Sequence, residues 1–154
     1  MDLEDIVARA RAARSFTHPL EGGRITISLL LPTPHDAEVV AVRNRLAPDG
    51  TPDGAALVRS TRQLLEQSIV GWEGVTVRDI MPPGMAVEPE EASAAAVHAP
   101  VTVAMLLDAQ PKWQLALSDA LYGRMAERNK ARDTAAKNSN GASPGKSPAR
   151  RRRS

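Results

Sequence analysis

Apolar residues fall at three- and four-residue steps through most of this 154-residue chain. That spacing places them on one face of a helix and commits the chain to a mainly α-helical body. The clearest departure is SFTHPL and RITISLLLP on either side of Glu21-Gly22-Gly23. Both flanks favour extended structure, and the glycines allow the positive φ of a tight reversal, so an N-terminal β-hairpin is predicted. The expected fold class is mainly α with a small N-terminal hairpin, α+β at its margin, in a single small domain. Leu29-Leu30-Leu31 breaks the alternation and predicts a strand end buried on both faces.

The helical periods can be placed along the chain. Leu3, Ile6, Val7, Ala10 and Ala13 share one face of a first helix, which Asp2 and Asp5 can cap. Thr33-Pro34-His35-Asp36 joins a capping threonine, a first-turn proline and an acid three residues on, predicting a helix to about Leu46. Pro48 to Gly54 reads as an exposed loop. Leu57, Thr61, Leu64, Leu65, Ser68, Ile69 and Trp72 then continue the helical step. Gly71 stands where a helix commonly ends in a left-handed residue, with Trp72 folding back as a core anchor. Gly74 turns the chain, and Val75, Val77 and Ile80 are expected to return along the core to Pro82-Pro83. A short alanine-rich helix is predicted over Glu88–Ala96 and another over Val101–Leu107. Asp108-Ala109-Gln110-Pro111 breaks the chain before a long helix through Trp113, Leu117, Leu121 and Met125 to about Ala136.

Charge is segregated along the sequence. Residues 1–136 carry 14 Lys/Arg against 18 Asp/Glu, while residues 137–154 carry six basic residues and no acidic one. The sequence pI of about 9.4 therefore reflects a basic tail on a mildly acidic body, not a uniformly basic binder. The tail, rich in Ser, Pro and Gly, is too polar to bury a core and is expected to be disordered. The predicted organisation is a helical domain over 1–136 and a tail over 137–154.

Several kinds of chemistry are excluded. With no cysteine, disulfides, thiolate zinc sites and cysteine nucleophiles cannot form. His18, His35 and His98 lie in separate segments without the spacing that puts two metal ligands on one face. Glu90 and Glu91 are adjacent, and adjacent helical residues point about 100° apart, so they suit a helix start better than an acid–base pair. No Gly-x-Ser-x-Gly elbow is present. GASPGKS, Gly141 to Ser147, misses the phosphate-loop pattern because Asn140 stands where its first glycine belongs. No catalytic residue, cofactor or metal is expected, and the reading is non-enzymatic. The start of the chain is acidic and lacks a continuous apolar core, so no secretory signal is expected. No apolar run approaches the roughly 20 residues of a membrane span, and a soluble, intracellular protein is anticipated.

Two candidate contact regions remain. Trp113, Leu117, Leu121 and Met125 form a stripe that either packs within the chain or receives a partner helix. Arg150, Arg151, Arg152 and Arg153 offer nonspecific, salt-sensitive phosphate contacts. Without interleaved aromatics they cannot stack bases, which argues against specific nucleic-acid recognition.

The order of a hairpin, the helix entry around Leu31-Pro32-Thr33-Pro34, LLEQSIVGWEGV, and PVTVAMLLDAQPKWQLAL before a charged helix resembles small tail assembly chaperones of long-tailed bacteriophages. The likeness runs from about Arg14 to Asn138. It implies a small helical adaptor that binds the tape-measure protein and helps recruit tail-tube subunits, with no catalytic residues. Self-association is compatible with it. It also implies action in the host cytoplasm during assembly and absence from the mature virion. Many such chaperones are extended by a programmed frameshift, for which Lys137-Asn138 and Gly145-Lys146 are candidate slip positions. The alternatives are a DNA-associated virion or packaging accessory protein acting through its basic tail, and a small structural tail component.

Overall fold

The computed structural model describes residues 1–44 and 54–141, with side chains to residue 138. Its elements run α1 (Leu3–Arg14), β1 (Ser15–Leu20), β2 (Ile25–Leu30), α2 (Pro34–Asn44), α3 (Gly54–Ser68), β3 (Ile69–Glu73), α4 (Val77–Ile80), α5 (Pro89–Ala92), α6 (Pro100–Ala109) and α7 (Pro111–Gly141). The chain divides into two units, Met1–Leu121 and Tyr122–Ser154. The boundary falls within α7, and the described part of the second unit is the remainder of that helix. The fold is mainly helical with a small antiparallel sheet, as the periodicity implied.

The hairpin forms where it was expected. β1 and β2 pair antiparallel from Ser15 opposite Leu30 to Leu20 opposite Ile25. The reversal runs through Glu21, Gly22 and Gly23, all at positive φ (51°, 66° and 94°). Two glycines adopt that region without a Cβ penalty, and Glu21 is the exception. Ile25, Ile27 and Leu29 are completely buried on one face of β2, the two-residue period of a strand. Leu30 and Leu31 are only half-buried, so the end of β2 is not enclosed on both faces.

The sheet has a third strand that the sequence reading assigned otherwise. α3 stops at Ser68, and Ile69–Glu73 pairs with β2, giving the order β1-β2-β3. The register is Thr26 with Glu73, Ile27 with Trp72 and Ser28 with Gly71, then a bulge before Leu29 meets Ile69. Gly71 is therefore a strand residue and not a left-handed helix cap. The true turn is Gly74, at φ 85°. A Cβ there would run into the carbonyl oxygen of Arg24. Trp72 is half-buried rather than enclosed. Its indole Nε1 donates to the Ala96 carbonyl at 2.9 Å, and His98 meets its ring edge-on at a centroid distance of 5.1 Å. The imidazole Nε2 lies 3.0 Å from the Ile69 carbonyl, a contact that needs the proton on Nε2.

After Gly74 the chain makes a one-turn helix instead of a long extended return. Thr76 and Asp79 form a capping box at its start, and the Asp79 carboxylate also accepts from Arg24 at 3.3 Å. The predicted Glu88–Ala96 helix is shorter, Pro89–Ala92. It gives way to Ala95, which bridges Thr76. Competing backbone bonds decide this: Val77 N–H donates to the Ala94 carbonyl and Ala96 N–H to that of Val75, both at 2.9 Å.

The remaining helices follow their sequence signals. The Thr33 hydroxyl accepts from Asp36 N–H at 3.1 Å, capping α2, whose described end is Asn44. The loop predicted over Pro48–Gly54 lies outside the described residues except for Gly54, which opens α3. Pro100 and Pro111 stand at the first position of α6 and α7, where a missing N–H is harmless. Gln110 separates the two helices and donates from its side chain to the Asp79 carbonyl at 3.0 Å. α7 continues through Gly141, past the predicted end near Ala136.

Candidate interaction surface

The stripe on α7 is the first place to look. Trp113, Leu117 and Leu121 are buried, so the structure packs them into the protein's own core, the intramolecular alternative. The Trp113 indole is further committed, donating to Glu21 Oε1 at 2.7 Å across 92 residues of sequence. Met125 lies in the second unit and is half-buried. Arg150, Arg151, Arg152 and Arg153 lie outside the described residues, as does nearly all of the Gly141–Ser147 segment.

Polar groups are drawn into structural pairs. Arg62, on α3, reaches Glu66 Oε1 and Asp108 Oδ1, both at 2.8 Å. It also donates to the Ala104 carbonyl at 3.0 Å and to Gln114 at 3.4 Å. One guanidinium thus ties α3 to α6 and to the start of α7. Partial burial works against its charge, but hydrogen bonds and Coulombic attraction from Asp108 and Glu66 outweigh that and raise its pKa. His18, His35 and His98 sit on β1, at the start of α2 and beside Trp72, and among the described residues no three acids or imidazoles converge on a metal position. Glu90 and Glu91 occupy the first turn of α5.

Two shallow concave regions adjoin Pro82 and Pro83 among the described residues, one of about 220 Å³ beside Arg78, Met85 and Gln110. A cleft of about 160 Å³ is lined by Ile80, Pro82, Pro83, Met105, Asp108 and Ala109. Ligand pockets typically run from about 300 Å³ upward. The only ionisable group in this cleft, Asp108, is the one already paired with Arg62. Among the described helices none is long and apolar enough to cross a membrane.

Exposed apolar side chains also occur on helices that were not named as contact regions from the sequence. Within the α2–α3 pair, Asn44 Nδ2 donates to Gln63 Oε1 at 2.9 Å, and Arg59 donates to the Asn44 carbonyl at 3.3 Å. At the end where α2 finishes and α3 begins, Val42, Leu57 and Val58 stand 52%, 69% and 65% exposed. Leu57 belongs to the helical step that reaches Leu64 and Leu65 but stays outside the core, the buried residues of α3 being Ala56, Ser60, Leu64, Leu65 and Ser68. α1 likewise exposes Leu3, Ile6 and Val7, and none of its residues is buried. The signal for both patches was available: helical periods carrying more apolar positions than one buried face needs.

No family model matches the chain, and no curated protein or solved structure matches it either.

Proposed function

We propose that the protein is a non-enzymatic assembly adaptor that binds a long helical partner, in the manner of the tail assembly chaperones its sequence resembles. On this reading the partner is a tape-measure protein, tail-tube subunits are recruited to it, and the adaptor acts in the host cytoplasm and leaves before the virion matures. The observation that carries the proposal is the exposed apolar end of the α2–α3 pair, Val42, Leu57 and Val58. Apolar side chains left exposed on helices can serve as anchors for a partner helix. An adaptor needs such a surface more than it needs a pocket, and scattered single hydrophobes would not provide it.

The test is co-expression with a tape-measure-type protein, a very long coiled-coil chain. The expected outcome is that the long chain becomes soluble and co-purifies, and that a tail-tube subunit joins the complex. Leu57→Asp with Val58→Asp should abolish capture while the melting temperature changes little. If the double variant captures as well as the parent, or the long chain stays insoluble, the proposal fails. Salt-dependent retention on DNA, lost when the basic tail is removed, would favour the DNA-associated alternative.

A further inference from the structure

We propose that the second unit is a duplex-DNA-binding arm in which α7 beyond Leu121 takes part, not the terminal arginines alone. The first observation is where the charge changes sign. Residues 122–154, the second unit, carry ten basic residues against two acidic ones, and residues 1–121 carry ten against 16. Leu121 is also the last buried residue of α7 among those described, so the chain turns basic where the helix stops contributing to the core. After Met125 the helix has no large apolar side chain, and residues 129–138 are all exposed. A helix that is polar all round offers no apolar stripe to a partner. What this one offers is charge.

The second observation is how that charge is sorted around the helix, each residue advancing about 100°. Arg124, Arg128 and Arg132 recur every four residues and make one ridge, its members about 6 Å apart along the axis. Lys130 lies three residues from both acids of the unit, Glu127 and Asp133, and Lys137 lies four from Asp133. At those spacings opposite charges are neighbours, so acids and lysines compensate one another on the side away from Arg128. No acid stands three or four residues from Arg128 or Arg132, and the only one so placed for Arg124 is Glu127. Arg124 and Arg128 also have partners within the chain, so the exposed Arg132 is the member that tests the ridge.

Charge and shape together name the occupant. A nucleic-acid backbone is anionic at every residue, which suits a long run of cations. In the first unit Asp79 is paired with Arg24, and Glu66 and Asp108 with Arg62, so the body of a second copy is the weaker match. Single strands are held by stacking bases on aromatic side chains, and the only aromatic in the second unit is Tyr122. An α-helix, about 10–12 Å across with its side chains, enters the B-form major groove, about 12 Å wide. The deep, narrow major groove of duplex RNA does not admit it. Duplex DNA is the fit. Seven of the ten cations are arginine, whose planar fork matches phosphate. Contacts of this kind fix position on the duplex and carry no sequence information.

Fluorescence anisotropy of the full chain with a short, labelled, mixed-sequence DNA duplex reads this, between about 50 and 200 mM salt. The expected result is binding whose log affinity falls linearly with log salt, with a slope of about −5 or steeper. A chain ending at Gly141 loses Lys146 and Arg150–Arg153, five of the ten cations. It should still bind at the low end of that range, with roughly half the slope. In that shortened chain Arg132→Glu should weaken binding at least about tenfold at the lowest salt, and Arg132→Lys should restore most of it. Melting should be unchanged in both variants, because Arg132 is exposed. Duplex RNA of the same sequence should bind more weakly than DNA. Absence of salt-dependent binding, or an Arg132→Glu chain that binds as its parent does, would overturn the proposal. Complete loss of binding in the chain ending at Gly141 would return DNA contact to the terminal arginines and overturn it too. So would equal affinity for the RNA duplex, or a salt-sensitive self-association that DNA fails to compete away.

Discussion

Ser68 ends α3 with its hydroxyl oxygen buried and without a hydrogen-bond partner. A buried hydroxyl that makes no bond has lost its water for nothing, and replacing it with an apolar atom of similar size should be neutral or favourable. Ser68→Ala is expected to raise stability by up to about 1 kcal/mol, read from the urea midpoint. A loss of that size would mean the hydroxyl has a partner. Glu21 presents the opposite case. Its backbone sits at φ 51°, which costs a non-glycine residue roughly 1–2 kcal/mol, while its carboxylate accepts from the buried Trp113 indole. Glu21→Ala should keep the backbone strain, strand the indole N–H and cost about 1–3 kcal/mol. Glu21→Gln, which still offers an acceptor, should come within a few tenths of the parent. Equal melting of the two variants would show that the bond contributes nothing. The sequence told that residues 21–23 make a turn, because glycine conformational preference is local. It could not tell that Glu21 meets Trp113, since that bond exists only once the hairpin and α7 are both in place.

Elements were legible where their signals were local. The caps at Asp2 and Thr33, the helix start at Pro111 and the break at Gln110 act within four residues, and each formed as read; the start of α6 at Pro100 was not singled out. β3 was hidden because Ile69 and Trp72 satisfy the helical step of α3 as well as a strand, and only pairing with β2, some forty residues earlier in the chain, decides between them. The same holds for the tie between α3 and α6. Arg62 places its guanidinium on Asp108, Glu66 and the Ala104 carbonyl together. A planar fork with several fixed donors can do this where a lysine point charge cannot. Arg62→Met is expected to lower stability by about 1–2 kcal/mol, and Arg62→Lys should recover less than half of that. Asp108 is well exposed and stays solvated in either variant, so the loss reports the bonds across the helices and not a stranded carboxylate. Full rescue by lysine in chemical denaturation would show that charge alone suffices.

At the scale of the molecule, burial is uneven among the elements of the first unit. Ile25, Ile27 and Leu29 on β2, together with Leu65, Leu106 and Leu117, are completely enclosed, whereas α1 has no buried residue. Regions with few buried apolar contacts open locally at little free energy, and the best-packed strands open only with global unfolding. Hydrogen exchange at low micromolar concentration should therefore find the α1 amides unprotected. The β2 amides bonded to its neighbours should exchange last, at a free energy close to that of complete unfolding. Deleting residues 2–13 gives the complementary measurement. Arg14 is kept because its backbone carbonyl accepts from Leu31 N–H at 2.7 Å, a bond that closes the sheet end. With that bond retained, the truncated chain should melt within about 2 °C of the parent, since a shift of several degrees needs about 1 kcal/mol of lost packing in a domain this size. A drop larger than that, or α1 amides protected to the same degree as β2, would mean that α1 is packed against the body of the chain.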